Sequence, residues 1–408
     1  MTESPRAAKG ATFAVVVLTS MNLLNYLDRF VPSAVKELFK VDLGLSDAET
    51  SWPMTAFILV YMVTSPMFGA LADRWPRKVL IAGGVALWSL ATAAAAFATG
   101  FWSFLVARAL VGVGEAAYAT LAPPLLSDYF PPARRNRVLT FFYVAIPVGA
   151  ALGFGLGGWI GKELGWRAAF LICGLPGILA AVLALRIQDP GRGAWDAAPA
   201  TAAANWPEAL RQLAANRRFV YAVAGYTAVT WAAGGMADWF PTYLVRNRGM
   251  GIAEAGTLIG MVTVVGGLGG TVVGGWLADR LQGRTKNNYL ALSAWSMVPA
   301  AVFAALALAV PAGLWVGVCM FLSQFFLWFY NGPINTIIAN AVGPELRARA
   351  FAVSIFTIHV LGDAISPTVI GIISDRSELL YGVALVPVFM LLGSLIWAAG
   401  WRRLPEPA

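Results

Sequence analysis

Apolar runs of about 18 residues or more, each closed by a short polar segment, recur from residue 11 to residue 401. Each run is long enough to cross a hydrocarbon core of about 30 Å as a helix. The pattern predicts twelve spans: 11–36, 48–72, 78–98, 101–127, 136–161, 167–187, 218–245, 253–278, 288–309, 312–341, 347–374 and 380–401. Between the sixth and seventh the apolar pattern stops. Residues 189–216 carry an Asp-Pro-Gly-Arg-Gly turn, an Ala-rich stretch and Asn205-Trp206-Pro207-Glu208. They read as a hydrophilic linker with a short interfacial helix at 207–215. The expected fold is an all-α membrane protein. Two six-helix bundles, 1–188 and 217–408, flank the linker.

Composition agrees with the pattern. Of 408 residues, 59% are hydrophobic and 12% charged, whereas soluble domains carry about 25% charged residues. No stretch is left for a soluble domain. The net charge of +8 raises nucleic acid as a partner. The basic residues instead sit in clusters between apolar runs, as in membrane loops, so no nucleic acid is expected. With the N-terminus inside, Arg6, Lys9, Arg74, Arg77, Lys78, Arg134, Arg135, Arg137, Arg280, Arg284, Lys286, Arg347, Arg349, Arg402 and Arg403 fall on the inner side, and both termini are cytoplasmic. The first apolar run is broken by Asn25, Asp28 and Arg29 and lacks a small-residue cleavage site, so it reads as a retained span. Cys173 and Cys319 lie inside apolar runs and give neither a disulfide framework nor metal spacing. No metal and no cofactor are expected.

The halves repeat. Leu71-Ala72-Asp73-Arg74 follows the second span and Leu277-Ala278-Asp279-Arg280 the eighth. Pro132-Ala133-Arg134-Arg135-Asn136-Arg137 precedes the fifth, and Pro344-Glu345-Leu346-Arg347-Ala348-Arg349 the eleventh. Matched signatures argue for duplication, and duplicated bundles hold substrate between halves and rock about it.

Charges within spans cost several kcal/mol if unpaired near the bilayer centre, so they face a cavity or a partner. Asp28 and Arg29 lie in the first span; Arg108 and Glu115 lie two turns apart on one face of the fourth. One reading is a proton site, in which a buried carboxylate titrates when its basic partner moves. The other is a static ion-pair network holding the two helices together. His359, the one histidine, has Asp363 one turn further on the same face of the eleventh span. Imidazole titrates near physiological pH, so this pair is either a coupling site or a packed side chain. One histidine and one carboxylate do not make a zinc site.

Gly153-x-Gly155-x-x-Gly158 matches a dinucleotide fingerprint by letters, but it lies inside a span with no preceding strand. Gly149, Gly153, Gly157 and Gly161, like Gly266, Gly270 and Gly274, recur every four residues and read as close helix packing. Aromatic and polar residues crowd the seventh span (Tyr226, Trp231, Asp238, Trp239) and the tenth (Gln324, Phe325, Trp328, Tyr330, Asn331, Asn335). They are cavity candidates or interfacial aromatics. Gly234-Gly235 and Gly332-Pro333 are expected to break these helices.

The chain resembles the major facilitator superfamily. Gly69-x-x-x-Asp73-Arg74-x-x-Arg77-Lys78 is similar to its loop signature between the second and third helices, with Pro76 where glycine is usual. Arg108-x-x-x-Gly112-x-Gly114-Glu115-Ala116 is similar to its fourth-helix signature. A narrower resemblance is to the Spinster family. It rests on Asn25-Tyr26-Leu27-Asp28-Arg29, Gly112-Val113-Gly114-Glu115-Ala116, Phe141-Phe142-Tyr143 with Ala145-Ile146-Pro147-Val148-Gly149, and His359-Val360-Leu361-Gly362-Asp363 with Ser366-Pro367 and Ile373-Ser374-Asp375. Tyr26 and Tyr143 thereby join the cavity candidates. The resemblance implies the major facilitator fold and a secondary transporter of a lysolipid or sphingoid phosphate, often proton-coupled, rather than an enzyme. A carrier of a small organic anion or a drug is the alternative. The expected partners are a small-molecule or lipid substrate, protons and membrane lipids, for a monomer in a bacterial inner membrane. The superfamily resemblance also implies a conformational latch of Gly69, Asp73, Arg74, Arg77 and Lys78, with Asp73 meeting the start of the eleventh helix in one state. Asp279 and Arg280 would repeat it. It further implies contact between the fifth and eighth helices through small residues.

Overall fold

The computed structural model describes residues 8–192, 194, 206–282, 284–311 and 313–405. Arg6 and the Ala-rich part of the linker lie outside these residues. Helices are the only regular structure among the described residues. Contacts divide the chain into two units, Met1–Pro199 with Ile252–Gly260, and Ala200–Gly251 with Met261–Ala408.

The first unit contains α1 (Ala11–Ala34), α2 (Lys36–Leu43), α3 (Asp47–Leu71), α4 (Arg77–Ala95), α5 (Phe101–Asp128), α6 (Pro132–Leu164), α7 (Trp166–Gly174) and α8 (Pro176–Ala184). Local chemistry sets the ends. Gly44 closes α2 with φ 64°, a left-handed conformation that glycine adopts without penalty. Ser46 Oγ then accepts from the Glu49 N–H at 3.2 Å and the Ser46 N–H donates to Glu49 at 2.8 Å, a reciprocal cap that starts α3. Helix α1 packs along α6, and α3 and α4 flank α5. The sixth expected span is interrupted at Leu175-Pro176, where proline cannot continue the hydrogen-bond ladder.

The second unit contains α9 (Trp206–Ala215), α10 (Arg217–Arg248), most of α11 (Ile252–Arg280), α12 (Asn288–Ala309), α13 (Leu314–Leu327), a 3₁₀ turn at Trp328–Tyr330, α14 (Asn331–Asn340) and α15 (Pro344–Ile358). A π-helical turn at His359–Asp363, α16 (Ser366–Arg376), α17 (Leu379–Val383) and α18 (Leu385–Arg403) complete it. The interfacial helix expected at 207–215 is α9. Asn216 caps α10 by accepting from the Phe219 N–H at 3.1 Å. Helix α18 packs on both α10 and α12.

Eleven segments of the described chain are long and apolar enough to cross a membrane. The expected span not among them is the seventh, α10. It is 32 residues long, but Asp238, Arg246 and Arg248 and its other polar residues dilute its apolar character.

Two expectations about glycine are corrected. Gly234-Gly235 does not break α10, which runs through it. A Cβ on Gly234 would lie 2.4 Å from the Asp363 Cβ, so this glycine admits a neighbouring helix. In the tenth span the irregular turn is at Trp328–Tyr330, before Gly332-Pro333. The run Gly149, Gly153, Gly157, Gly161 does pack closely, against α1 and the start of α2. Cβ atoms on Gly149 and Gly153 would lie 2.4 Å and 2.5 Å from the carbonyl oxygens of Leu23 and Leu27. Within the first unit, α6 meets the start of α11 through Gly158 on the adjacent face. Gly266, Gly270 and Gly274 face α13 and the turn after it. A four-residue period identifies a small-residue face; it does not identify the partner.

Candidate functional site

In the first unit, α1 and α5 carry the intramembrane charges into one cluster. Asp28, Arg108 and Glu115 are buried, with 1%, 1% and 0% exposure. The Arg29 Nη2 donates to Glu115 Oε2 at 2.7 Å, and the Arg29 side chain keeps 17% exposure. Asp28 lies in the field of both Glu115 and Arg108. The guanidinium of Arg29 lies 4.7 Å from the Tyr26 ring centroid, 5.0 Å from Phe57 and 5.8 Å from Tyr61; that of Arg108 lies 5.6 Å from Phe57. Rings at such distances attract a cation through their quadrupole. Tyr143 is half-exposed and meets Phe142 edge-on, with centroids 5.1 Å apart.

The backbone explains the enclosure. A Cβ on Gly112 would lie 2.5 Å from the Phe57 carbonyl, and one on Gly114 2.4 Å from that of Gly84. Glycine therefore lets α3 and α4 close on α5 around Glu115. Two acids and two bases balance formally, yet the hydrogen bonds do not. Asp28 Oδ1, Glu115 Oε1, Arg108 Nη1 and Nη2, Arg29 Nε and Asn25 Nδ2 are buried without a hydrogen-bond partner. Such atoms carry a desolvation cost that a fully paired structural network would avoid.

In the second unit, His359 Nδ1 lies 2.9 Å from both carboxylate oxygens of Asp363. The π-helical turn holds both residues; such turns recur at functional sites. Ser366 Oγ is buried and unpartnered nearby. The Trp328 indole N–H donates to Gln324 Oε1 at 3.0 Å, and Asn335 Nδ2 donates to the Asn331 carbonyl at 2.7 Å. Trp231 is buried and stacked on Phe389 at 3.8 Å between α10 and α18, which commits it to packing.

The loop after α3 engages residues that the sequence reading missed. Arg77 donates to Asp128 at 2.5 Å and grips Asp189 with two bonds, at 2.9 Å and 2.5 Å. Asp73 pairs with Arg192, whose second amino group donates to the Ala72 carbonyl at 2.5 Å. Gly69, Ala72, Arg77, Asp128 and Arg192 line a cavity of about 330 Å³. Burial pushes the Asp189 carboxyl up, but bonds from Arg77 and the Gly191 N–H, with Arg192 close by, outweigh it and hold it below the ordinary carboxylate range. Arg74 is exposed and Lys78 half-buried. Asp279 and Arg280 are exposed, and the guanidinium of Arg280 lies 5.4 Å from the Trp276 ring.

Comparison with known proteins adds to this geometry. Residues 18–367 match the sequence profile of the Major Facilitator Superfamily. The chain is 37% identical to "Protein spinster homolog 1" of Mus musculus over 387 residues, 90% of this chain and 73% of that protein. It is 33% identical over 401 residues to the "Sphingosine-1-phosphate transporter SPNS2" of Danio rerio, covering 93% of this chain and 79% of that one. Among solved structures, it is similar to a bacterial homologue of the human lysosomal transporter Spinster in an inward-facing, occupied conformation. The TM-score is 0.83 at 22% identity, over 98% of this chain and all of that one.

Proposed function

Because this chain belongs to the Spinster family of the Major Facilitator Superfamily, we propose that it is a proton-coupled secondary carrier of a lysolipid or sphingoid phosphate, working by alternating access through twelve spans with both termini in the cytoplasm. The observation that carries the proposal is the buried bond between Arg29 and Glu115, with Asp28 and Arg108 beside it. Arg29 is the partly exposed member, ringed by aromatic faces suited to the apolar side of an amphipathic molecule. An anionic headgroup drawn to Arg29 weakens its hold on Glu115, and the freed carboxylate takes a proton. His359 and Asp363 are a second coupling site in this reading. Tyr26 and Tyr143 of the first unit, and Gln324, Trp328, Asn331 and Asn335 of the second, are substrate contacts in this reading. The bundles are 1–188 and 217–408.

Gly69, Asp73, Arg74, Arg77 and Lys78 act as a latch, with Asp73 releasing Arg192 in the alternative state; Asp279 and Arg280 are their counterpart. The zebrafish relative's name supports the lipid class. The test is uptake by the purified protein in proteoliposomes, against lysolipids, sphingoid phosphates and sugar acids. Uptake confined to sugar acids would replace the lipid reading with a small-anion carrier.

A further inference from the structure

The residues of α4 that enclose Asp28 have no role in the account above. Trp88 and Thr92 are fully buried, and each stands beside the Asp28 carboxylate. The Trp88 indole N–H, Thr92 Oγ1 and Asp28 Oδ1 all lack a hydrogen-bond partner. Two buried donors thus stand close to the carboxylate, and neither makes a bond of ordinary length to Asp28 Oδ1. The packing keeps them there. A Cβ on Gly114 of α5 would lie 2.8 Å from the Trp88 Cβ, and one on Gly174 of α7 would lie 2.8 Å from Thr92 Cγ2. Helix α4 is therefore wedged between α5 and α7 at the level of Asp28.

We propose that Thr92 and Trp88 are positioning residues that donate to Asp28 when it gives up its proton, and so set the pH at which it does so. The proposal rests on the proton-site reading of this cluster and takes Asp28, the second buried carboxylate beside Glu115, as a group that also exchanges a proton. Charged and titratable groups that face Asp28, among the described residues, are Glu115 and Arg108 from α5 and Cys173 from α7. Arg108 favours the ionised carboxylate and Glu115 opposes it. Neither donates to Asp28 Oδ1, which leaves Thr92 and Trp88 as the neutral donors at hand. Donors favour the charged form, so their removal favours the protonated one.

The test is pH-difference infrared spectroscopy of the full-length protein in lipid bilayers. The protonated-carboxyl band that Asp28→Asn removes reports Asp28. Thr92→Val keeps the shape and loses the donor; its band should persist to a pH higher by about one to two units. Trp88→Phe should move the same way, and Thr92→Ser should titrate as the native protein does. A native midpoint in Thr92→Val, or Thr92→Ser shifting as far as Thr92→Val, overturns the proposal while leaving Asp28 a proton site. If no Asp28-dependent band titrates in the native protein, the proposal falls, whereas proton coupling through Glu115 stands or falls by its own test.

Discussion

Arg29 Nη2 and Glu115 Oε2 meet at 2.7 Å between α1 and α5, 86 residues apart in sequence, in a site where Glu115 has no exposure. Taking one partner from a buried pair leaves the other charge uncompensated and costs about 3–5 kcal/mol. Arg29→Met or Glu115→Gln alone should therefore lower the thermal unfolding temperature in detergent more than the double variant does. Additive losses would show that the pair does not act as a unit.

The α6 glycines predict a position-specific response. Gly153→Ala puts a methyl group 2.5 Å from the Leu27 carbonyl, whereas a Cβ on Gly155 has open space within 4 Å. The first change should cost about 1–3 kcal/mol by overpacking. The second should be neutral, or stabilising by up to about 1 kcal/mol. Thermal unfolding of the two variants decides it; equal losses would contradict the α1–α6 contact.

The Asp189 clamp predicts acid sensitivity. Its carboxyl is held below the ordinary range, so its contribution is fully present above the unfolded value, about 4. The contribution is lost as pH falls through the lower folded value. Protection of the amides at 186–192, measured against their intrinsic exchange rates at each pH, should fall on acidification through that window. In Asp189→Asn exchange should already be fast at neutral pH, with the acid response reduced. A native exchange profile in that variant would remove Asp189 from the clamp.

Asp73 and Arg192 are both more than half exposed, so their pair is worth at most about 1 kcal/mol. Asp73→Asn should leave the unfolding temperature almost unchanged. It should shift the populations seen as spin-label distances between the helix ends on the side of this loop several-fold. An unaltered distance distribution would reduce the loop to topological charge.

What the sequence disclosed follows from what is costly in lipid. Asp28, Arg29, Arg108 and Glu115 stand out because a charge inside an apolar run needs a partner, and the structure gathers all four. His359 and Asp363 were legible as one helical turn, although the π-helical geometry of that turn was not. Asp128 and Asp189 were illegible as Arg77 partners. They look like ordinary boundary residues, and the pairs close over 51 and 112 positions. Gly234 was read as a helix breaker because its letters do not say that Asp363 packs against it. Trp88 and Thr92 look like any apolar-span residues until α5 and α7 enclose them.

In the proposed function the Glu115 cluster couples protons to lipid transport. The direct measurement is uptake of a radiolabelled lysolipid or sphingoid phosphate into proteoliposomes, with and without an imposed pH gradient, for the native protein and Glu115→Gln. With coupling through Glu115, the gradient accelerates native uptake, and Glu115→Gln still binds substrate but no longer responds to the gradient. Native uptake indifferent to the gradient, or a Glu115→Gln variant with native rate and native pH dependence, would contradict it.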